Sequence, residues 1–159
     1  MCGIFALIKN IDSCIDFIRD KPILHNSFIK GQNRGPEHSI LTTINEQIIF
    51  GFHRLAINGL DSISNQPISC DGVYLICNGE IYNYNEIYSQ LEITPNTNSD
   101  CEAIIHMYLK YGIEYTLQNL DGVFSFVLYD SNNKKGYIAR DPYGVRPLYY
   151  GIYDGYLVC

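Results

Sequence analysis

Residues 2–8, Cys2-Gly3-Ile4-Phe5-Ala6-Leu7-Ile8, form a short unbroken apolar run. Successive strand side chains point to opposite faces, so a run of this length reads as a β-strand covered on both sides. Such a strand requires neighbours and two covering layers. Segments rich in strand formers recur near both ends of the chain, and helical patterns gather between them. Antiparallel sheets with helices packed outside them are the expected arrangement.

Asp12 to Arg19 reads as a short helical piece, and Pro22 starts a second with Leu24, Phe28 and Ile29 facing inward. Ser39 to Ile44 and Gln47 to His53, joined by Asn45-Glu46, read as a hairpin. A polar loop, Asn58 to Pro67, follows, and Val73 to Cys77 is a strand expected to end at Asn78-Gly79-Glu80. Asn83 with Glu86, and Ser99 with Glu102, have capping-box spacing. The first predicts a helix to about Leu91, the second a helix with Ile104, Met107, Tyr108 and Tyr111 on its apolar face and Gly112 as its stop. Gly122 to Tyr129 alternates around Phe124, Phe126 and Leu128, and Gly136 to Ala139 returns beside it. Tyr149-Tyr150 and Tyr156-Leu157-Val158 read as a last hairpin around Asp154-Gly155.

The 159 residues suit one domain with a hydrophobic core. A formal charge of −6 without any Lys/Arg cluster argues against a nucleic-acid surface. The fourteen Tyr read as half-buried sheet residues. No apolar run reaches membrane-spanning length, and residues 4–8 are too short for a signal peptide. The six Cys show no CxxC pair and the four His no metal spacing, so neither metal nor other cofactor is expected, and the location expected is cytoplasmic.

If Met1 is removed, Cys2 carries a thiol and a free α-amine on one carbon, with ordinary pKa values of about 8.5 and about 7.7–8.0. One residue then holds a nucleophile and the base that activates it. The alternative is that Cys2 merely opens a buried strand. Asn78-Gly79 offers a side-chain amide and an unhindered backbone N–H to a developing oxyanion, or is a simple Asn-Gly turn. Arg54, at a strand exit, can grip a carboxylate bidentately or form a surface ion pair. Asp100, in a first helical turn, complements the helix dipole or faces an ammonium group. Together these residues describe a pocket for a free amino acid with an electrophilic side chain, and glutamine fits.

The sequence resembles the glutamine-hydrolysing domain of class II amidotransferases, which are N-terminal-nucleophile hydrolases, in the asparagine synthetase branch. The resemblance rests on Met1-Cys2-Gly3-Ile4, Arg34-Gly35-Pro36, His53-Arg54-Leu55-Ala56-Ile57, Asn65-Gln66-Pro67 and Asn78-Gly79-Glu80-Ile81-Tyr82-Asn83. It continues through Ser99-Asp100-Cys101-Glu102, residues 121–126 (Asp-Gly-Val-Phe-Ser-Phe) and residues 140–149, which open Arg140-Asp141-Pro142. It implies an α+β fold of two stacked antiparallel sheets with helices on the outer faces, and residues 1–159 as one amidotransferase domain, short at its C-terminus. It also implies Cys2 as nucleophile, with Asn78 and Gly79 as oxyanion hole. Arg54, Glu80 and Asp100, with backbone near Ile57, would bind the two ends of L-glutamine. An ATP-dependent synthetase domain or subunit accepting the ammonia is the implied partner, with no nucleic acid and no membrane.

Glu37 and Asn58 stand where the family usually has Asp. The chain stops at Cys159, and with no Gly-rich phosphate loop it is not expected to activate aspartate by itself. A glutamine-binding or structural subunit with little turnover, or the glutaminase half of another class II amidotransferase, are the alternatives. The mature chain is expected to begin at Cys2. Intact mass showing Met1 retained in a preparation that still hydrolyses glutamine would sink the mechanism.

Overall fold

Strand β3 (Ile48–Arg54) is buried at every position, and a five-stranded antiparallel sheet is assembled beside it. The computed structural model describes residues 1–9, 20–153 and 155–159, so the expected helix at 12–19 lies outside the described residues. The chain forms two compact units, Met1–Leu55 with Leu148–Cys159, and Ala56–Pro147.

The first unit holds β1 (Gly3–Lys9), β2 (His38–Asn45), β3, β8 (Gly151–Tyr153) and β9 (Tyr156–Val158), in the order β2-β3-β1-β9-β8. Ala6 and Leu7 are adjacent and both buried, so β1 is covered on both faces as its unbroken apolar run predicts. Helix α1 (Lys21–Ile29) has its proline in the first turn and buries Leu24 and Phe28. Ile29, expected inward, is instead exposed, because it follows Phe28 around the helix and leaves the face that packs.

Phe28 locks this helix to the sheet. Its ring stacks on the His53 imidazole with centroids 4.0 Å apart, and His53 Nε2 donates to the Phe28 carbonyl at 2.9 Å. With the proton on Nε2, Nδ1 accepts from the Ser39 hydroxyl at 2.8 Å. Gly51 makes the seat possible, since a Cβ there would lie 2.6 Å from the Phe28 ring.

The last hairpin exists but is displaced: its first strand is Gly151–Tyr153, while Tyr149 and Tyr150 are exposed. Pairing with β1 selects β9, whose Tyr156 is wholly buried, and Ala6 and Cys159 exchange backbone hydrogen bonds at 3.0 Å. The half-buried reading of the tyrosines therefore fails at this end and at Tyr143, which is 92% exposed.

The second unit holds a four-stranded antiparallel sheet, β4 (Ile68–Cys70), β5 (Val73–Ile81), β6 (Gly122–Asp130) and β7 (Lys135–Arg140), in that order. Helices α2 (Tyr84–Leu91), α3 (Glu102–Tyr111) and α4 (Ile113–Asn119) complete it. Val73, Leu75 and Cys77 of β5 share a core with Phe124, Phe126 and Leu128 of β6, Ile104 and Met107 of α3, and Ile87 and Leu91 of α2. The fold class is α+β, as the sequence implies. No helix among the described residues is long and apolar enough to cross a membrane.

Five local features differ from what the sequence predicts. β5 does not stop at Asn78: its ladder with β6 continues to Ile81↔Gly122, and pairing overrides the turn preference of Asn-Gly. Neither capping box forms. Asn83 spends its side chain on Asp121 N–H (3.1 Å) and the Asn119 carbonyl (2.9 Å), and Asp100 precedes α3 rather than lying in its first turn. Tyr111 is exposed, whereas Ile104, Met107 and Tyr108 are buried as expected. β4 and α4 had no reading in the sequence; α4 follows directly on the Gly112 stop, where φ is 80°.

Gly51→Ala should destabilise the protein by about 1–3 kcal/mol, because the new methyl must displace the Phe28 ring. An unchanged denaturation midpoint would show that Phe28 does not sit on this glycine.

Candidate active site

In the first unit, Cys2 immediately precedes β1, and the register Gly3↔His53 places it beside the exit of β3. Leu55 N–H donates to Cys2 Sγ at 3.4 Å, and the thiol donates to the Leu55 carbonyl at 3.3 Å. Arg34 Nε donates to the Cys2 carbonyl at 3.3 Å. Gly3 leaves room for this approach, since a Cβ there would lie 3.3 Å from His53 and 3.5 Å from the Arg34 Cβ. Arg54 closes β3 and is buried, so it is not a surface ion-pair residue. The unit thus brings Cys2 and Arg54 to one end of one sheet.

In the second unit, the site residues lie along one edge of β5. Phe124 spends both of its backbone groups on Asp141: its carbonyl accepts from Asp141 N–H at 2.8 Å, and its N–H donates to Asp141 Oδ2 at 3.3 Å. Its register partner Gly79 is therefore in a non-hydrogen-bonded pair, the closely spaced kind. A Cβ on Gly79 would accordingly lie 2.6 Å from Phe124 Cα. Only glycine fits, and its N–H points to the opposite edge. β4 pairs only as far as Ile68↔Leu75, so no strand covers that edge at residue 79. The Gly79 N–H is left without a ladder partner.

The Asn78 carboxamide is 5% exposed and makes no hydrogen bond among the described residues. A buried amide with unused donors is suited to charge that arrives with a ligand. Across the ladder stands Ser125, wholly buried, with a hydroxyl that has no hydrogen-bond partner among the described residues.

Two residues farther along the same edge, Ile81 N–H donates to Asp100 Oδ2 at 2.6 Å, bringing Asp100 to Asn78-Gly79-Glu80. Burial raises the Asp100 pKa; the Ile81 N–H and the Asn58 side chain oppose this, while Glu80 adds to it. A carboxylate held in that state is stabilised by an arriving cation. Asn58 follows Ile57, which is exposed.

The segment leading to Asp100 is tied down by Glu102. Its carboxylate accepts from Asn96 N–H (2.8 Å), Thr97 N–H (2.7 Å) and the Thr97 hydroxyl (2.6 Å), and is paired with His106 at 3.0 Å. Cys101, whose place at a helix start suggests a reactive thiol, has its pKa raised instead, by hydrogen bonding with Cys77 and by burial.

The whole chain, residues 1–159, matches the family described as the glutamine amidotransferase domain. The chain belongs to that family. Among its relatives are the asparagine synthetases [glutamine-hydrolyzing] of Mesocricetus auratus and Homo sapiens, each 41% identical over 167 aligned residues, and that of Gallus gallus at 40%. The alignments cover all of this chain but only 28% of each relative.

Within this amidotransferase domain, sequence reasoning missed how Asp141 serves the site. Its carboxylate accepts from the N–H groups of Tyr143 (3.1 Å), Val145 (3.0 Å), Arg146 (3.0 Å) and Phe124, and wraps the loop after β7 around itself. That turn carries Arg146 to Glu80, with Arg146 Nη2 3.4 Å from Glu80 Oε1. Asp141, Gln66 and Glu102 all stand in motifs visible in the sequence, but the backbone partners of Gln66 and Glu102, and Phe124 as a partner of Asp141, lie outside those motifs.

Ser125→Ala deletes a buried hydroxyl without a partner and should raise stability by about 1 kcal/mol. A lower midpoint in chemical denaturation would show that the hydroxyl is hydrogen-bonded after all.

Proposed function

We propose that this amidotransferase domain hydrolyses L-glutamine to glutamate and ammonia, with residues 1–159 acting as one domain. The observation that carries the reading is the pair of unused donors on β5, the Asn78 carboxamide and the Gly79 N–H, in a chain of this family. The Cys2 α-amine takes the thiol proton, and the thiolate adds to the glutamine side-chain carbonyl carbon. Asn78 and Gly79 donate to the oxyanion so formed. Collapse of the tetrahedral intermediate breaks the C–N bond, and the amine returns its proton to the departing ammonia. Water, deprotonated by the same amine, then cleaves the γ-glutamyl thioester, releasing glutamate and the Cys2 thiol.

Arg54 takes the α-carboxylate of glutamine. Asp100, with Glu80 and backbone near Ile57, takes the α-ammonium. Arg146 fixes the direction of Glu80 and moderates its charge. The ammonia passes to an ATP-dependent synthetase domain or subunit, a reading supported by the much longer asparagine synthetases that share this domain.

Because the oxyanion exists only in the intermediate, Asn78→Ala should lower kcat by about 10²–10³ and leave KM for glutamine little changed. Cys2→Ala should abolish ammonia release. An Asn78→Ala variant that loses binding but keeps its kcat would make Asn78 a ground-state contact.

A proton on Asp100 competes with the substrate ammonium, so binding is strongest above the raised Asp100 pKa and is lost as pH falls through it. KM for glutamine should therefore rise on acidification, starting above the ordinary carboxylate range. Asp100→Asn should flatten that rise; an unaltered profile would remove Asp100 from the ammonium site.

A further inference from the structure

We infer that Gln66 is a positioning residue for the oxyanion hole, its side-chain amide replacing the strand that β5 lacks beside Asn78. The inference rests on the reading of Asn78 and Gly79 given above. Gln66 is 6% exposed and makes two hydrogen bonds to a single residue. Its Oε1 accepts from Cys77 N–H at 2.5 Å, and its Nε2 donates to the Cys77 carbonyl at 3.1 Å. This is the donor–acceptor pattern that a neighbouring strand would present.

The need for such a group follows from the ladder. β4 ends at Ile68, and Pro67 before it has no N–H to offer. The next residue of β5 that faces this edge after Leu75 is Cys77, and both of its backbone groups are buried. Gln66 satisfies both. Beyond Gly79, Asp100 satisfies Ile81 N–H. The edge is thus held at residue 77 and again at 81, while at 79 the carbonyl accepts from the Cys101 thiol at 3.9 Å and the N–H stays open. An N–H meant for a transient anion gains from this arrangement, because its direction is set by its neighbours while it remains unoccupied. Cys77 also precedes Asn78, so holding its peptide groups sets the backbone from which the carboxamide projects.

The test measures glutamine hydrolysis by the purified chain carrying Gln66→Met or Gln66→Glu, with Asn78→Ala as reference. Methionine keeps the volume and loses both hydrogen bonds. Its kcat should fall about tenfold to a hundredfold, with KM within about twofold, the split expected when reacting groups are slightly misplaced. Ionised glutamate accepts from Cys77 N–H but cannot donate to its carbonyl. Protonated glutamate does both. The kcat of Gln66→Glu, divided by that of the unsubstituted chain at the same pH, should therefore recover as pH falls; a residue that only fills space would give a constant ratio. Should Gln66→Met not fold, this pH-dependent ratio carries the test alone. A normal kcat in Gln66→Met, or a constant ratio in Gln66→Glu, overturns the inference and leaves the oxyanion reading intact as long as Asn78→Ala is slow. A normal kcat in Asn78→Ala overturns both.

Discussion

The second unit depends on an unequal pairing: β5 is nine residues long, β4 beside it only three. On its β6 side β5 is paired along its whole length, from Val73↔Asp130 to Ile81↔Gly122. On its β4 side the ladder ends at Leu75. Exposed strand edges invite unwanted pairing, and proteins usually block them. Here the edge is treated residue by residue: a side-chain amide at 77, a carboxylate at 81, and an open N–H at 79. At residue 79 the close pair with Phe124 leaves no room for a Cβ.

The carboxylates of this unit divide into two electrostatic classes. Glu102 and Asp141 are buried yet have lowered pKa values, because hydrogen bonds from neighbouring N–H groups and side chains outweigh desolvation. Their contribution to stability is present above the unfolded-state pKa and is lost as pH falls through the lower folded value. Asp100 is the reverse. Its folded pKa is raised, so its contribution is present in acid and is lost as pH rises through that value, leaving a buried carboxylate that favours a cation. The first two hold backbone segments in place; the third accepts from Ile81 N–H with a raised pKa.

The first unit solves a different problem, holding Cys2 in place at the start of β1. Here β1 is flanked by β3 and β9, Arg34 holds the Cys2 carbonyl, and Leu55 brackets the thiol. The stacked Phe28–His53 pair behind Gly3 and Gly51 fixes the strand exit from which Arg54 projects.

By itself the sequence determined the amidotransferase motifs, the antiparallel α+β class, most strand positions and, apart from Ile29 and Tyr111, the inward faces of α1 and α3. These depend on composition, spacing and periodicity, which are local. Tertiary structure decided what required a partner outside the local motif. Asn78-Gly79 reads locally as a turn, and only pairing with β6 keeps it within a strand. Ser99 and Glu102 read as a capping box, yet Glu102 turns to the backbone of residues 96 and 97. Gln66 reads as a loop residue and becomes part of a sheet edge. In each case a backbone group outside the motif, or the absence of one, set the role of the side chain, and no local pattern encodes where a neighbouring strand ends.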